Sequence, residues 1–228
     1  MKSRLGQHRR YSPERNSEPL SDTEWAVLSP FVFRAAETEA ETEAAAAAAG
    51  VPIRRRPGRP GRLVRDPRAR LDAIFWMAAH TRPWRAAPPW HALPERFGKP
   101  DTVSRQFRRW ARPGLWTKLL EALADEDHPG IAVLRRLESW ICRAFRRAWR
   151  ILGVPGMALA RRLGFLSALR GPSWLLPNPD LSEYVFRRVD EELSRGLRAV
   201  PDGFLRAAWH LTGAAGGRRR IPRCLAPP

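Results

Sequence analysis

Four arginines fall within twelve residues of the stretch DTVSRQFRRWAR: Arg105, Arg108, Arg109 and Arg112. A guanidinium is planar, permanently charged, and holds five N–H donors in a fixed fork. Spaced three and four residues apart on a helix, such groups line up as one cationic stripe. The chemistry open to that stripe is non-covalent. It can clamp phosphate oxygens, or pair bidentately with O6 and N7 of guanine in a major groove. Ser104, inside the same stretch, adds a hydroxyl that can serve either contact. A second cationic group precedes it. Residues 54–70, RRRPGRPGRLVRDPRAR, hold eight arginines and one aspartate, with three prolines and two glycines.

That second segment has nothing with which to bury itself. It reads as an extended basic arm over residues 54–65, with Arg54, Arg55, Arg56, Arg59 and Arg62 as its DNA-facing groups. Its Gly-Arg-Pro core matches arms that follow the minor groove. A basic loop without base preference is the competing reading.

The remaining reactive side chains do not assemble into a catalytic set. Five histidines (His8, His80, His91, His128, His210) share no metal-ligand spacing, and two cysteines, Cys142 and Cys224, make neither a disulfide framework nor a zinc site. There is no G-x-S-x-G, no phosphate-binding P-loop and no dinucleotide fingerprint. No catalytic residue, metal site or cofactor is assigned.

The charge distribution supports a polyanionic partner. The chain has 228 residues, 41 Lys+Arg against 23 Asp+Glu, and net charge +18. Residues 1–50 carry net −2, residues 51–120 net +13, and residues 121–228 net +7. A strongly basic surface seeks nucleic acid or, less often, anionic membrane. No uncharged apolar run approaches the length of a membrane span, and the N-terminus lacks the apolar centre of a signal peptide. A soluble intracellular protein is the default expectation.

The elements that must position these groups are helices. Residues 1–19 are polar and expected to be disordered. In LSDTEWAVLSPF, Ser21 and Glu24 make a capping box, and Leu20 and Trp25 occupy the staple positions. A short helix is predicted over Asp22–Leu28, ended by Pro30. Residues 35–50 form an Ala/Glu-rich insert of strong helix formers without a core-facing stripe. Asp66 caps a helix with Pro67 at its first position, whose inner face is Leu71, Ile74, Phe75 and Ala78. A proline-rich turn region follows, with one helical turn near Pro94–Phe97. Asp101 or Thr102 caps the helix Val103–Arg112, which buries Val103, Phe107, Trp110 and Ala111 and turns its arginines outward. Pro113-Gly114 ends it, and the next helix faces Leu115, Leu119, Ala122 and Leu123 inward. From Ile131 to Leu152 an apolar stripe (Leu134, Leu137, Ile141, Phe145, Ala148, Leu152) opposes Arg135, Arg136, Arg143, Arg146, Arg147 and Arg150. That stretch reads as a second DNA-facing or subunit-pairing helix, or as one lying on an anionic membrane. Further helices are expected at Met157–Leu169, Leu181–Val200 and Gly203–Leu211. No sustained alternation marks a strand. The fold class is all-α, a small helix-turn-helix bundle followed by further amphipathic helices.

Taken in order, LSDTEWAVLSPF, GRP, RLDAIFWMAAHTRPWRAAP and LPERFGKPDTVSRQFRRWARPGLWTKLLEAL resemble the N-terminal helical domain of insertion-sequence transposases of the IS-five type, over about residues 20–124. The residues that carry the resemblance are Trp25, Pro83-Trp84-Arg85, Phe97-Gly98, Thr102-Val103 and Phe107-Arg108-Arg109-Trp110. It implies a helix-turn-helix that binds double-stranded DNA at the terminal repeats of a mobile element, and it adds a prokaryotic, nucleoid-associated setting in the cytoplasm. In that family the domain precedes an RNase-H-like catalytic domain with an Asp-Asp-Glu metal site. This chain departs from the pattern in its Ala/Glu insert and in the longer RAAPPWHALPERF link. After residue 124 its acids sit in charged helical clusters such as Asp125-Glu126-Asp127, with no strand to deliver an aspartate to a metal pair. DNA binding is therefore carried over and catalysis is not. A homodimer is a further expected partner, and residues 125–228 form a helical region without an assigned role. The alternatives are a complete but divergent transposase performing Mg-dependent strand transfer, a transposase-derived regulator, and a basic RNA- or membrane-surface-binding protein.

Overall fold

A computed structural model describes residues 18–48, 66–81 and 87–217. Among the described residues the chain forms nine α-helices, joined by short 3₁₀ turns, and no strand. The helices are α1 (Asp22–Ala48), α2 (Pro67–Ala79), α3 (Pro100–Ala111), α4 (Leu115–Ala124), α5 (Ile131–Arg136), α6 (Glu138–Arg147), α7 (Trp149–Arg162), α8 (Pro179–Ser194) and α9 (Phe204–Ala215).

α1 starts as its capping box dictates. Ser21 N–H donates to Glu24 at 3.0 Å, and Glu24 N–H donates to the Ser21 hydroxyl at 3.3 Å. Its end is a correction. The helix does not stop at Leu28 but runs through Pro30 to Ala48. Pro30 lacks the N–H that would reach the Ala26 carbonyl; the Ser29 hydroxyl donates to that carbonyl instead, at 3.4 Å. Leu28, Val32 and Ala35, four and three residues apart, stay buried across the proline and hold the helix to the core. The Ala/Glu tract beyond then continues it on intrinsic propensity.

α2 is capped as expected, by Asp66 accepting from Ala69 N–H at 2.9 Å with Pro67 at N1. It is tied to the start of α1 by Leu20 N–H donating to Asp72 Oδ1 at 2.7 Å. Burial raises the Asp72 carboxyl above the usual carboxylate range, against the opposing effect of that hydrogen bond.

An unbroken line of aromatic rings runs through the interior. Trp90 meets Phe107 of α3 at 5.4 Å between centroids, and Phe107 meets Trp116 of α4 at 5.3 Å. Trp116 meets Phe75 of α2 at 6.4 Å, and Phe75 meets Trp140 of α6 at 5.4 Å. Tilted pairs at these separations add attraction beyond the apolar area they bury. The core they thread is continuous from Leu20 to Leu176, so Leu134, Leu137, Trp140, Ile141 and Phe145 pack into the same interior as Leu71 and Val103.

The stretch Ile131–Leu152 is not one helix. It breaks at Leu137 and Ala148, which separate α5, α6 and α7. α7 is itself kinked at Gly153, where φ is +61°, a conformation suited to glycine. The helix expected over Met157–Leu169 ends at Arg162.

Candidate nucleic-acid interface

The best candidate surface is the outer side of α3. The helix begins earlier than its sequence suggests. Lys99 takes the N-cap position without a side-chain cap, Pro100 is at N1, and Asp101 falls in the first turn, where its charge complements the helix dipole. Val103, Ser104, Gln106, Phe107, Trp110 and Ala111 are buried. What remains outside is Asp101, Thr102, Arg105, Arg108, Arg109 and Arg112, a stripe spanning about 120° of arc at 3.6 residues per turn. Arg105, Arg108 and Arg112 are exposed and Arg109 is half-buried. Among the described residues, neither Arg105 nor Arg112 enters an ion pair.

Ser104 lies elsewhere than its sequence reading places it. It is 2% exposed, and its hydroxyl accepts from Arg108 Nη2 at 2.7 Å. It faces the protein and tethers an arginine one turn away. That bond removes some of the rotamer freedom a long side chain would otherwise lose on binding.

Pro113-Gly114 stops α3 as the sequence indicates. Gly114 stands at φ +86° and its N–H donates to the Ala111 carbonyl at 3.2 Å, a left-handed cap that strongly favours glycine. At the other end, Arg70 Nη1 donates to the Phe97 carbonyl at 3.3 Å. The first turns of α2 therefore stand beside the entrance to α3. Arg96 and Lys99, both exposed, extend the basic surface through the turn before α3. The sequence reading passed over them because they belong to no periodic pattern. The arm residues Arg54, Arg55, Arg56, Arg59 and Arg62 lie outside the described residues, as does the Pro83-Trp84-Arg85 turn.

The second arginine stripe is a correction. It does not form a continuous outward face, because three of its six members point inward. Arg143, 7% exposed, donates to the Ala79 carbonyl at 2.8 Å. Arg146 donates to the Ser167 carbonyl at 3.2 Å. Arg147 donates to the Pro88 carbonyl at 2.8 Å and lies 4.0 Å over the Trp90 ring. Burial pushes its guanidinium down to about 10, which leaves it charged at neutral pH. Arg135, Arg136 and Arg150 stay exposed, with Arg135 3.4 Å from Glu126.

These inward arginines bear on α3. Ala79 ends α2 and Pro88 precedes the turn Trp90–Ala92. Arg143 and Arg147, one helical turn apart on α6, therefore hold the end of α2 and, near the middle of the link that leads to α3, Pro88. Arg147 also stacks on Trp90, which in turn meets Phe107 of α3. A helix from beyond residue 124 thus fixes the seat of the arginine stripe.

Among the described residues, no three His, Cys, Asp or Glu side chains come together as a metal-ligand set. No helix there is long and apolar enough to cross a membrane.

Comparison with known proteins agrees with the segment that holds this surface. No solved structure matches the chain. The chain is 39% identical over 56 residues to the protein named "Uncharacterized protein y4sN" of Sinorhizobium fredii (strain NBRC 101917 / NGR234), a stretch that is 25% of this chain and 40% of that protein's length. Residues 45–120 match the family described as "Putative transposase of IS4/5 family (DUF4096)". The segment that contains α2, α3 and the turns between them is therefore similar to that IS4/5 transposase-related family.

Proposed function

We propose that the chain binds double-stranded DNA through α3, as the recognition module of an insertion element's transposase or of a regulator derived from one. The observation that carries this reading is the geometry of one helix. Its inner face is locked into an aromatic core, and its outer face offers Arg105, Arg108, Arg109 and Arg112 in a single stripe. A helix held in that way can enter a major groove without rearranging. The family match over residues 45–120 supports element ends as the target. Arg105, Arg108, Arg109 and Arg112 make the direct contacts, to phosphates or guanines. Ser104 positions Arg108, and the arginines of residues 54–65 add contacts to an adjacent groove or to the backbone.

The test is salt-dependent binding of the full chain to duplexes carrying the ends of the repeat that flanks its own gene. With roughly six phosphates neutralised, the log–log slope against salt is about −5. A slope near zero, or equal affinity for single strands and anionic vesicles, would refute duplex recognition.

A further inference from the structure

The C-terminal helices carry an apolar face that the described residues do not cover. α8 and α9 form an antiparallel hairpin, closed where Asn178 N–H, at the cap of α8, donates to the Ala215 carbonyl at the end of α9 at 2.7 Å. Its interior is small, built on Val185, Ala208, Ala214 and Ala215. Glu192, also buried, is held there by Arg188 and Arg195. Outside this interior stand Phe186, Leu193, Leu197, Leu205 and Trp209, exposed at 62%, 39%, 77%, 48% and 71%.

Helix geometry places them together. On α8, Phe186 and Leu193 are rotated about 80–100° from Val185; on α9, Leu205 and Trp209 are rotated about 60–100° from Ala208, in the same sense. In two antiparallel helices, flanks offset in the same rotational sense turn to the same side of the pair. The four side chains therefore share one face, with Leu197 in the turn that joins the helices.

Two observations select the occupant. The first is charge. Pro179–Ala215 holds six acidic and five basic side chains, net −1, in a chain of net +18. Most of the surface repels another copy of the chain, and this hairpin does not. Continuing the same rotation, the apolar strip is edged by Glu183 and Asp190 on α8 and by Arg206 on α9. A two-fold axis parallel to the helices sets α8 of one copy over α9 of the other, so each acidic edge meets the second copy's Arg206. The second is area. With about 150–250 Å² for a large aromatic side chain, the exposed fractions amount to roughly 500–600 Å² per copy. Two copies then bury roughly 1,100 Å², close to the ~1,200 Å² at which specific, stable interfaces begin.

We propose that this face pairs with a second copy of the chain in a two-fold dimer, independently of how α3 is used. The test is sedimentation velocity on the full chain, freed of nucleic acid, in moderate salt that leaves surface charges unscreened at contact, from low to high micromolar concentration. The expected result is a monomer–dimer equilibrium that Trp209→Glu and Phe186→Glu each weaken at least tenfold, with unchanged circular dichroism. Val154→Glu, at an exposed apolar position on α7, leaves it unchanged. Asp190→Arg weakens it, and adding Arg206→Asp restores it. A chain that stays monomeric at every concentration overturns the proposal. So does a dimer that Val154→Glu breaks and Trp209→Glu does not.

Discussion

α3 and α6 are nearly the same helix by composition and opposite in what their arginines do. Each sets large apolar side chains against a group of arginines. In α3 the core takes one side and the guanidiniums are left outside. In α6 every residue from Glu138 to Phe145 is buried, and Arg143, Arg146 and Arg147 reach main-chain carbonyls of other elements. The difference lies in what surrounds each helix. α6 packs against α2, α4, α5, α7 and the turn Leu166–Ala168. Several of those elements end there, and they leave carbonyls such as Ala79 and Ser167 for a long, multi-donor side chain to satisfy. An arginine stripe is thus a means of contact, and the neighbours decide whether the partner is inside the protein or outside it.

The largest expected effect tests the shared core. Phe107→Ala removes a ring that is 3% exposed and sits between Trp90 and Trp116. It should cost roughly 3–5 kcal/mol in urea unfolding. A negligible loss would mean that the aromatic line does not hold α3 in place.

Arg143→Ala probes the inward side. It leaves the Ala79 carbonyl without its 2.8 Å donor, so stability should fall by about 1–3 kcal/mol. DNA affinity, measured well below the unfolding temperature, should change little. A loss of affinity with intact stability would mean that Arg143 serves the DNA-binding surface, directly or through the seat of α3, and would erase the contrast between the two helices.

These two residues also mark what can be read from sequence. The capping box at Ser21 and Glu24, the Asp66-Pro67 start of α2, the buried faces of α2, α3 and α4 and the Gly114 stop all follow from local rules. Each depends on residues within a few positions of one another, and each is found. The orientation of Arg143 and Arg147 was not legible. Their partners, Ala79 and Pro88, lie 64 and 59 residues away, and no periodicity within α6 encodes them. Neither was the length of α1, because Pro30 ends a helix only where no core holds both sides of it. The direction in which Ser104 faces is hidden from the sequence for a related reason. A small polar residue at the margin of an amphipathic helix can face either way, and here it turns inward to hold Arg108.

The outward side is tested by Arg108→Ala combined with Arg109→Ala. Duplex affinity should fall well over tenfold with the domain still folded, at a cost of about 1 kcal/mol for the hydrogen bond that Arg108 makes to buried Ser104. Unchanged affinity at moderate salt would remove α3 from the interface. A large loss of stability instead would mean that these arginines, like those of α6, serve the fold.

The smallest effect separates two uses of the same stripe. Arg105 and Arg112 are both exposed and make no ion pair among the described residues, so each can be removed with little change to the fold. If Arg112 lies on a phosphate, Arg112→Ala should weaken every duplex by a similar few-fold factor. It should also reduce the steepness of the salt dependence by about 0.9 in log–log slope. If Arg105 reads a guanine, Arg105→Ala should relax the preference at one base pair by about 1–3 kcal/mol. Binding of both variants to element-end and scrambled duplexes over a salt series measures slope and preference together. Identical behaviour of the two variants would show that the stripe acts only as a track of charge. The sequence preference would then have to come from DNA shape or from contacts outside α3.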